Sequence, residues 1–300
     1  MNVDLSAAAD FMAGHARVLD RRRFESLLGR GDPAAVLAAL DGYRNPDGGY
    51  GWGLEPDLRS PESQPGAALH AFEVLAEIGP GGSSRAVALC DWLQSVSLAD
   101  GGLPFALPLT VAAATAPWWA GADPSTSALQ TTAITAAAAW RVAARDPAVA
   151  AHPWLAAATR HCLREIAAMD QAPHAYVLAF AVRFLDTVHE RHPEAAELLR
   201  AVGKHIPADG LVPVEGGTEH ETLHPLDFAP DPDGPARELF AADVISADLD
   251  RLTAGQHDDG GWSVDYAKIS PAGSLEWRGY VTLEAVDLLR RNGRIPRQEA

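Results

Sequence analysis

Cysteine is nearly missing from this chain. Cys90 and Cys162 are its two thiols in 300 residues. Two cysteines build no disulfide framework and no Cys-x-x-Cys metal pair. Both fall in apolar, helix-like contexts, where a free thiol packs as a small hydrophobe. Positive charge is also scarce: 24 Lys and Arg stand against 40 Asp and Glu, a formal net charge of -16. The basic clusters are short, Arg21-Arg22-Arg23 and Arg290-Arg291. A nucleic-acid-binding face needs a basic stripe to neutralise phosphates, so no nucleic-acid partner is expected. Long apolar runs are lacking as well. The Ala-rich stretch from Ile134 to Ala144 is interrupted by Trp140 and Arg141, and it is too short to cross a bilayer. The first residues show no basic region followed by an apolar core, so no signal peptide is expected. A cytoplasmic protein without an integral membrane segment follows from these absences. Val and Ile are sparse beside Ala and Leu, which disfavours a series of strands and favours helices.

What is abundant is punctuation. The 26 glycines and 22 prolines gather between Ala/Leu-rich runs, where they break one element from the next. Apolar periodicity predicts helices over 8–29, 34–43, 65–78, from Ser83 or Ser84 past Leu93, 125–144, from Pro153 to about Met169, 173–189, 193–205, 237–254 and 279–291. Asp32-Pro33 has the form of an N-cap followed by proline at the first helical position. Residues 214–236, rich in Gly, Pro, Asp and Glu, read as one long loop, long enough to serve as a lid.

Between the helices a turn recurs. Its glycines are Gly48, Gly101, Gly210 and Gly260; the first two lie 53 residues apart and the last two 50. A period near 50 residues holds two helices and two connections, the mark of a helical-hairpin repeat. Asp or Asn before Gly lets the backbone enter the left-handed region cheaply. The residues that follow, Tyr50, Trp52, Leu103, Phe105 and Trp262, are expected to fold back as wedges between hairpins. The fold class expected is all-α: an α/α toroid of five to six hairpins, spanning 1–300 as a single domain.

Residues 256–262, QHDDGGW, resemble the QW motif of squalene–hopene cyclases: Gln256, Gly260 and Trp262 match its Gln, Gly and Trp. Asn45 to Trp52 is a degenerate copy without the Gln. Asp100 to Phe105 is another, with Phe in place of Trp, and Gln94 stands as its displaced Gln. Residues 276–286, EWRGYVTLEAV, are similar to the final helix entry of such repeats. On these residues the chain resembles the prenyltransferase and squalene-oxidase repeat superfamily, whose fold is the α/α toroid. That resemblance implies the fold and stops short of an activity. The Asp-x-Asp-Asp acid motif of the class II cyclases is lacking. The nearest strings, Asp248-Leu249-Asp250-Arg251 and Asp231-Pro232-Asp233-Gly234, both miss the fourth Asp. Cys90 and Cys162 have no neighbouring Asp-x-Cys setting of the kind that holds zinc in protein prenyltransferases.

Candidate chemistry sits beside the turns. Glu55 and Asp57 follow the first turn, and burial beside an apolar bore would suit either for proton transfer, Asp57 first and Glu55 second. Both also read simply as turn-satisfying acids. Trp118 and Trp119, an adjacent pair at a mid-chain break, are candidates to line a substrate cavity and to face a developing cation. His220-Glu221-Thr222-Leu223-His224 fits the His-Glu-x-x-His zinc pattern, which works only on a helix. Gly216-Gly217 before it and Pro225 after it leave little room for one. A looser metal site of His220, His224 and Asp227 is the form this loop would support, with His224 alternatively a partner base. No cofactor is specified. The function expected is an enzyme acting by acid–base chemistry on an apolar, isoprenoid-like or other natural-product molecule in a central cavity. The alternative is a non-catalytic binding or scaffold protein that keeps the fold.

Overall fold

The computed structural model describes residues 2–296. The chain is mostly helical, and among the described residues the only sheet is a two-stranded antiparallel one. Its helices run in the order α1 (Leu5–His15), α2 (Val18–Leu27), α3 (Pro33–Asp41), α4 (Pro65–Ile78), α5 (Ser83–Val96), α6 (Pro117–Ala120), α7 (Leu129–Ala143), α8 (Pro147–Ala150), α9 (Pro153–Ala167), α10 (Ala175–Val188) and α11 (Glu194–Gly203). Strands β1 (Val212–Pro213) and β2 (Thr222–Leu223) follow, then α12 (Pro225–Phe228), α13 (Ala242–Ala254) and α14 (Pro271–Arg291). Among the described residues no helix is long and apolar enough to cross a membrane. The chain divides into two compact units. One comprises Leu40–His205; the other draws on both Met1–Ala39 and Ile206–Ala300.

The contiguous unit has two helical layers. In one, α4 packs on α7 and α7 on α10; in the other, α5 packs on α9 and α9 on α11. The layers are joined pairwise, α4 with α5, α7 with α9 and α10 with α11. Composition explains which helix goes where. Helix α7 is Ala- and Thr-rich and buries nine successive residues, Thr131 to Ala139, and a helix apolar all round must be covered on all sides. Helix α11 keeps Glu194, Glu197 and Arg200 outward and buries Ala195, Leu199 and Val202. In the other unit α1, α2 and α14 pack against one another, and α13 packs on α12 and α14.

Several boundaries differ from the sequence expectation, for identifiable reasons. The first helix is two: Ala16 takes an extended conformation, and Gly279 of α14 sits so close that a Cβ there would lie 2.9 Å from the Ala16 Cβ. Helix α7 starts at Leu129 because the Ala128 amide is drawn to the Leu103 carbonyl at 2.8 Å. Helix α14 begins eight residues early, since Ser270 caps it by accepting from Gly273 N–H at 3.0 Å and Pro271 fills the first position. The 214–236 segment is not one open loop. It contains β2, the helix α12 and the start of a 3-10 helix, Pro235–Leu239.

Three of the four glycine turns are the same object. Asn45, Leu98 and His257 each donate N–H to the carbonyl of Gly49, Gly102 and Gly261 at 2.9 Å. Asp47, Asp100 and Asp259 each accept from the second glycine's N–H, at 2.9, 3.0 and 3.1 Å. The first glycines have φ of +92°, +88° and +89°. Each lies on a helix backbone: a Cβ would fall 2.9 Å from Ala88 O of α5, 2.9 Å from Ala157 O of α9 and 2.1 Å from Ala7 O of α1. The Gly210 turn keeps a positive φ and its Asp209 bond. However, Pro207 stands where the closing N–H is needed, and Gly210 abuts the side chains of Pro225 and Phe240 instead of a helix. Tyr50, Leu103 and Trp262 are buried wedges, as expected, but Trp52 is 58% exposed. The wedge position is the one directly after the two glycines.

Candidate functional site

The first turn leads into residues 51–64, and these carry the acids. Gly51 lets the chain double back, since a Cβ there would lie 2.2 Å from the Glu62 carbonyl. A tight turn follows, Glu55-Pro56-Asp57-Leu58, closed by Leu58 N–H to Glu55 O at 3.0 Å, with proline at its second position as such turns prefer. The Glu55 Oε1 accepts the Asp57 N–H at 3.1 Å. Both carboxylates are buried. A buried carboxylate is tolerable only when paired, and the partner of Glu55 comes from α4: His70 Nε2 lies 2.9 Å from Glu55 Oε2. On its other side His70 Nδ1 meets Glu73 Oε2 at 2.9 Å, one helical turn along.

Burial alone would push the His70 pKa down. The negative charges of Glu73 and Glu55, with their hydrogen bonds, outweigh that and bring it up to about 9. His70 is therefore an imidazolium at neutral pH, clasped between two carboxylates. Trp119 reaches the same place. A Cβ on Gly66 would lie 3.3 Å from Trp119 Cη2 and 3.7 Å from Glu55 Cγ, so the indole rim and the Glu55 stem both border the space where α4 has no side chain. Trp119 in turn stacks on Phe105, centroids 4.3 Å apart and planes 12° apart.

The segment bearing Phe105 and Trp119 is tied to the acid loop at several points. Gln64, fully buried, accepts Leu107 N–H at 2.8 Å and donates to Leu107 O at 3.3 Å. Ala116 N–H donates to Asp57 O at 2.8 Å, and Thr110 donates to Glu62. Four residues expected from sequence are thus placed as follows: Glu55, Asp57 and Trp119 come together, while Trp118 is 44% exposed. His70 and Gln64 were not singled out. The signal for His70 was a lone imidazole among Leu69, Ala71 and Phe72, with Glu73 three residues on, the spacing at which helical side chains meet.

The second expected group lies in the other unit. His220 is exposed in the turn between β1 and β2, and Thr222–Leu223 are strand, so the His-Glu-x-x-His string forms no helix. His224 is the N-cap of α12; its ring accepts from the Asp227 amide, and Asp227 Oδ2 accepts the His224 N–H at 2.7 Å. The His224 Nδ1 is 3.8 Å from buried Asp248, which also accepts Leu226 N–H at 2.9 Å and Arg251 Nε at 2.6 Å. Among the described residues no group of three or more His, Cys, Asp or Glu side chains is placed to hold a metal ion. Asp227 caps a helix with His224 rather than completing a ligand set.

Cys90 and Cys162 are buried free thiols, and burial pushes the Cys90 pKa up to about 12, which leaves it inert. No family model matches the chain, and no curated protein does. A solved structure is similar in fold, described as the crystal structure of a protein from Actinoplanes. It is 16% identical with a TM-score of 0.54, and the match covers 97% of this chain and 100% of that one.

Proposed function

We propose that the protein is a cytoplasmic small-molecule enzyme that uses acid–base chemistry on an apolar, isoprenoid-like or related substrate, at Glu55. The observation behind this is the junction of Glu55, protonated His70 and the Trp119–Phe105 stack. Glu55 takes the proton-transfer role ahead of Asp57, because its carboxylate meets His70 and its stem borders the same gap on α4 as the Trp119 rim. His70 pairs with Glu55 at 2.9 Å, and Glu73 keeps His70 charged. Trp119 offers the substrate an apolar wall that tolerates developing positive charge. His224 and Asp227 have no part in it, since each serves the other as a helix cap.

The same proposal includes the fold. The hairpins form an α/α toroid of the prenyltransferase and squalene-oxidase repeat type. The repeated Asp-Gly-Gly turn supports this, as does the seating of the last such turn on α1, in the manner of the first two on α5 and α9.

The competing reading is a binding or scaffold protein. It is favoured by one fact: both ring nitrogens of His70 and both oxygens of Glu55 already have partners. A panel of farnesyl and geranyl alcohols and diphosphates, read by melting temperature and product analysis, separates the two. Binding that weakens in Trp119→Ala, with turnover lost in a folded Glu55→Gln variant, supports the enzyme. Binding without turnover supports the scaffold, and no thermal shift with any member sinks both.

A further inference from the structure

The connection between Leu103 and α7 leaves the helices and returns to its starting point. Pro104 and Ser127 form an antiparallel bridge. The Ala128 amide donates to Leu103 O at 2.8 Å, and Ser127 Oγ donates to Asp100 Oδ1 at 2.7 Å. The two ends of the excursion are therefore fastened side by side. The connections that follow the first and last Asp-Gly-Gly turns, to Pro65 and to Pro271, are shorter. A connection of this length is usually a functional cover. No charged residue stands between Asp100 and Asp123, so no ion pair pins the excursion down over that span.

Its inner side rests on one stretch of chain, residues 57–66. Leu107 exchanges two hydrogen bonds with the Gln64 side chain. Thr110 N–H donates to Glu62 at 3.3 Å, and Ala116 N–H to Asp57 O at 2.8 Å. The Trp119 rim fills the space that Gly66 leaves beside the Glu55 stem.

This seated form carries two faults. Among the described residues, two other than glycine have a positive φ, Trp52 at +57° and Ala114 at +56°. Trp52 is held in that pose: its amide donates to Ser60 O and its indole Nε1 to Asn45 Oδ1, each at 2.8 Å. Ala114 has no side chain able to hold it. Beside it the Thr115 Oγ1 is buried without a hydrogen-bond partner. A left-handed alanine and an orphaned buried hydroxyl both cost free energy, and both costs vanish once the segment lifts into water.

We infer that residues 107–122 form a lid that lifts as one body about its fastened ends, with Trp119, seated against Phe105 and Gly66, as the latch. Its purpose as a gate rests on the reading of Glu55 as the reacting group; its opening is read without any substrate.

Hydrogen exchange followed amide by amide by NMR tests the lid. The Leu107 and Ala116 amides, one near each end of the segment, should exchange within about threefold of each other. Both should be at least about a hundredfold less protected than the Ala128 amide at the fastened base. Trp119→Ala should speed both about tenfold or more and leave Ala128 unchanged. Thr115→Val, which removes the orphaned hydroxyl at nearly constant shape, should slow both about threefold. Protection equal to that of Ala128, unrelated rates at Leu107 and Ala116, or rates unmoved by both variants overturns the lid. Failure of every substrate to turn over sinks the Glu55 reading instead and leaves these rates as predicted.

Discussion

Gln256 grips the backbone of Asp4 at two points: its Oε1 accepts the Asp4 N–H at 2.8 Å and its Nε2 donates to the Asp4 carbonyl at 2.8 Å. The same Nε2 donates to Gly260 O at 3.0 Å. One side-chain amide therefore joins the entry of α1 to the last Asp-Gly-Gly turn across 252 positions of sequence. The site is open to water, so Gln256→Ala is expected to cost only about 1–2 kcal/mol. Gln256→Glu should cost more, because it removes the donor and sets a negative charge against two carbonyl oxygens. Urea unfolding of the two variants checks the order; equal stability with the parent would dissolve the clasp.

The turn glycines are predicted to differ in sensitivity. Gly260→Ala meets the Ala7 carbonyl at 2.1 Å, whereas Gly48→Ala and Gly101→Ala meet theirs at 2.9 Å. All three also carry the penalty of a positive φ, about 1–2 kcal/mol. Gly216 shares the positive φ, but its Cβ would meet nothing within 4 Å, so Gly216→Ala reports the backbone penalty alone. The expected order of loss is Gly260 largest, Gly48 and Gly101 next, Gly216 least. Midpoints of denaturant unfolding that fail to separate Gly260 from Gly216 would refute the docking of the turn on α1.

Tyr50 and Trp52 are two residues apart and should behave oppositely. Tyr50 is fully buried, and burial pushes its phenol up to about 12. Tyr50→Ala opens a core cavity and should cost about 3–5 kcal/mol. Trp52→Gly removes exposed surface and relieves the left-handed strain, so its stability should stay within about 1 kcal/mol of the parent or rise. Calorimetric melting of both variants decides whether the wedge sits directly after the two glycines.

His70 makes stability depend on pH in the alkaline direction. Its folded pKa of about 9 lies above the ordinary 6.5. The stabilisation is therefore complete below pH 6.5 and is lost as pH rises through 9. A raised imidazole pKa of this size corresponds to something on the order of 3 kcal/mol. Unfolding free energy measured between pH 6 and 10 should fall accordingly in the parent, and the slope should flatten in Glu73→Gln. A parent profile that is flat across that interval would mean the imidazole is not charged in the folded protein.

Much of the helical skeleton was legible because it rests on local signals. Pro65 to Ile78 was read to the residue, since Pro65 starts that helix and Gly79 stops it. The turn repeat was legible too, because Asp-Gly carries its own conformational preference. What sequence could not reveal depended on distant partners. The break after His15 packs against Gly279, and the Trp52 pose is held by Asn45 and Ser60. At the acid site, Glu55 was visible as a residue type in a turn, yet its partner is His70, a lone imidazole on a helix that its apolar neighbours dominate. His224 and Asp227 show the converse: a metal-like spacing proved to be the local spacing of a helix cap.

One unit is contiguous, Leu40–His205, while the other needs both Met1–Ala39 and Ile206–Ala300. Synthesis delivers these pieces in a fixed order, at about 5–20 residues per second. The contiguous unit has all its partners once its last helix leaves the ribosome. Helices α1 and α2, made first, must wait several seconds longer for α14, with Phe11, Met12, Leu19 and Phe24, all buried in the finished fold, still open to solvent. The segment that precedes the contiguous unit is thus secured only after that unit is complete.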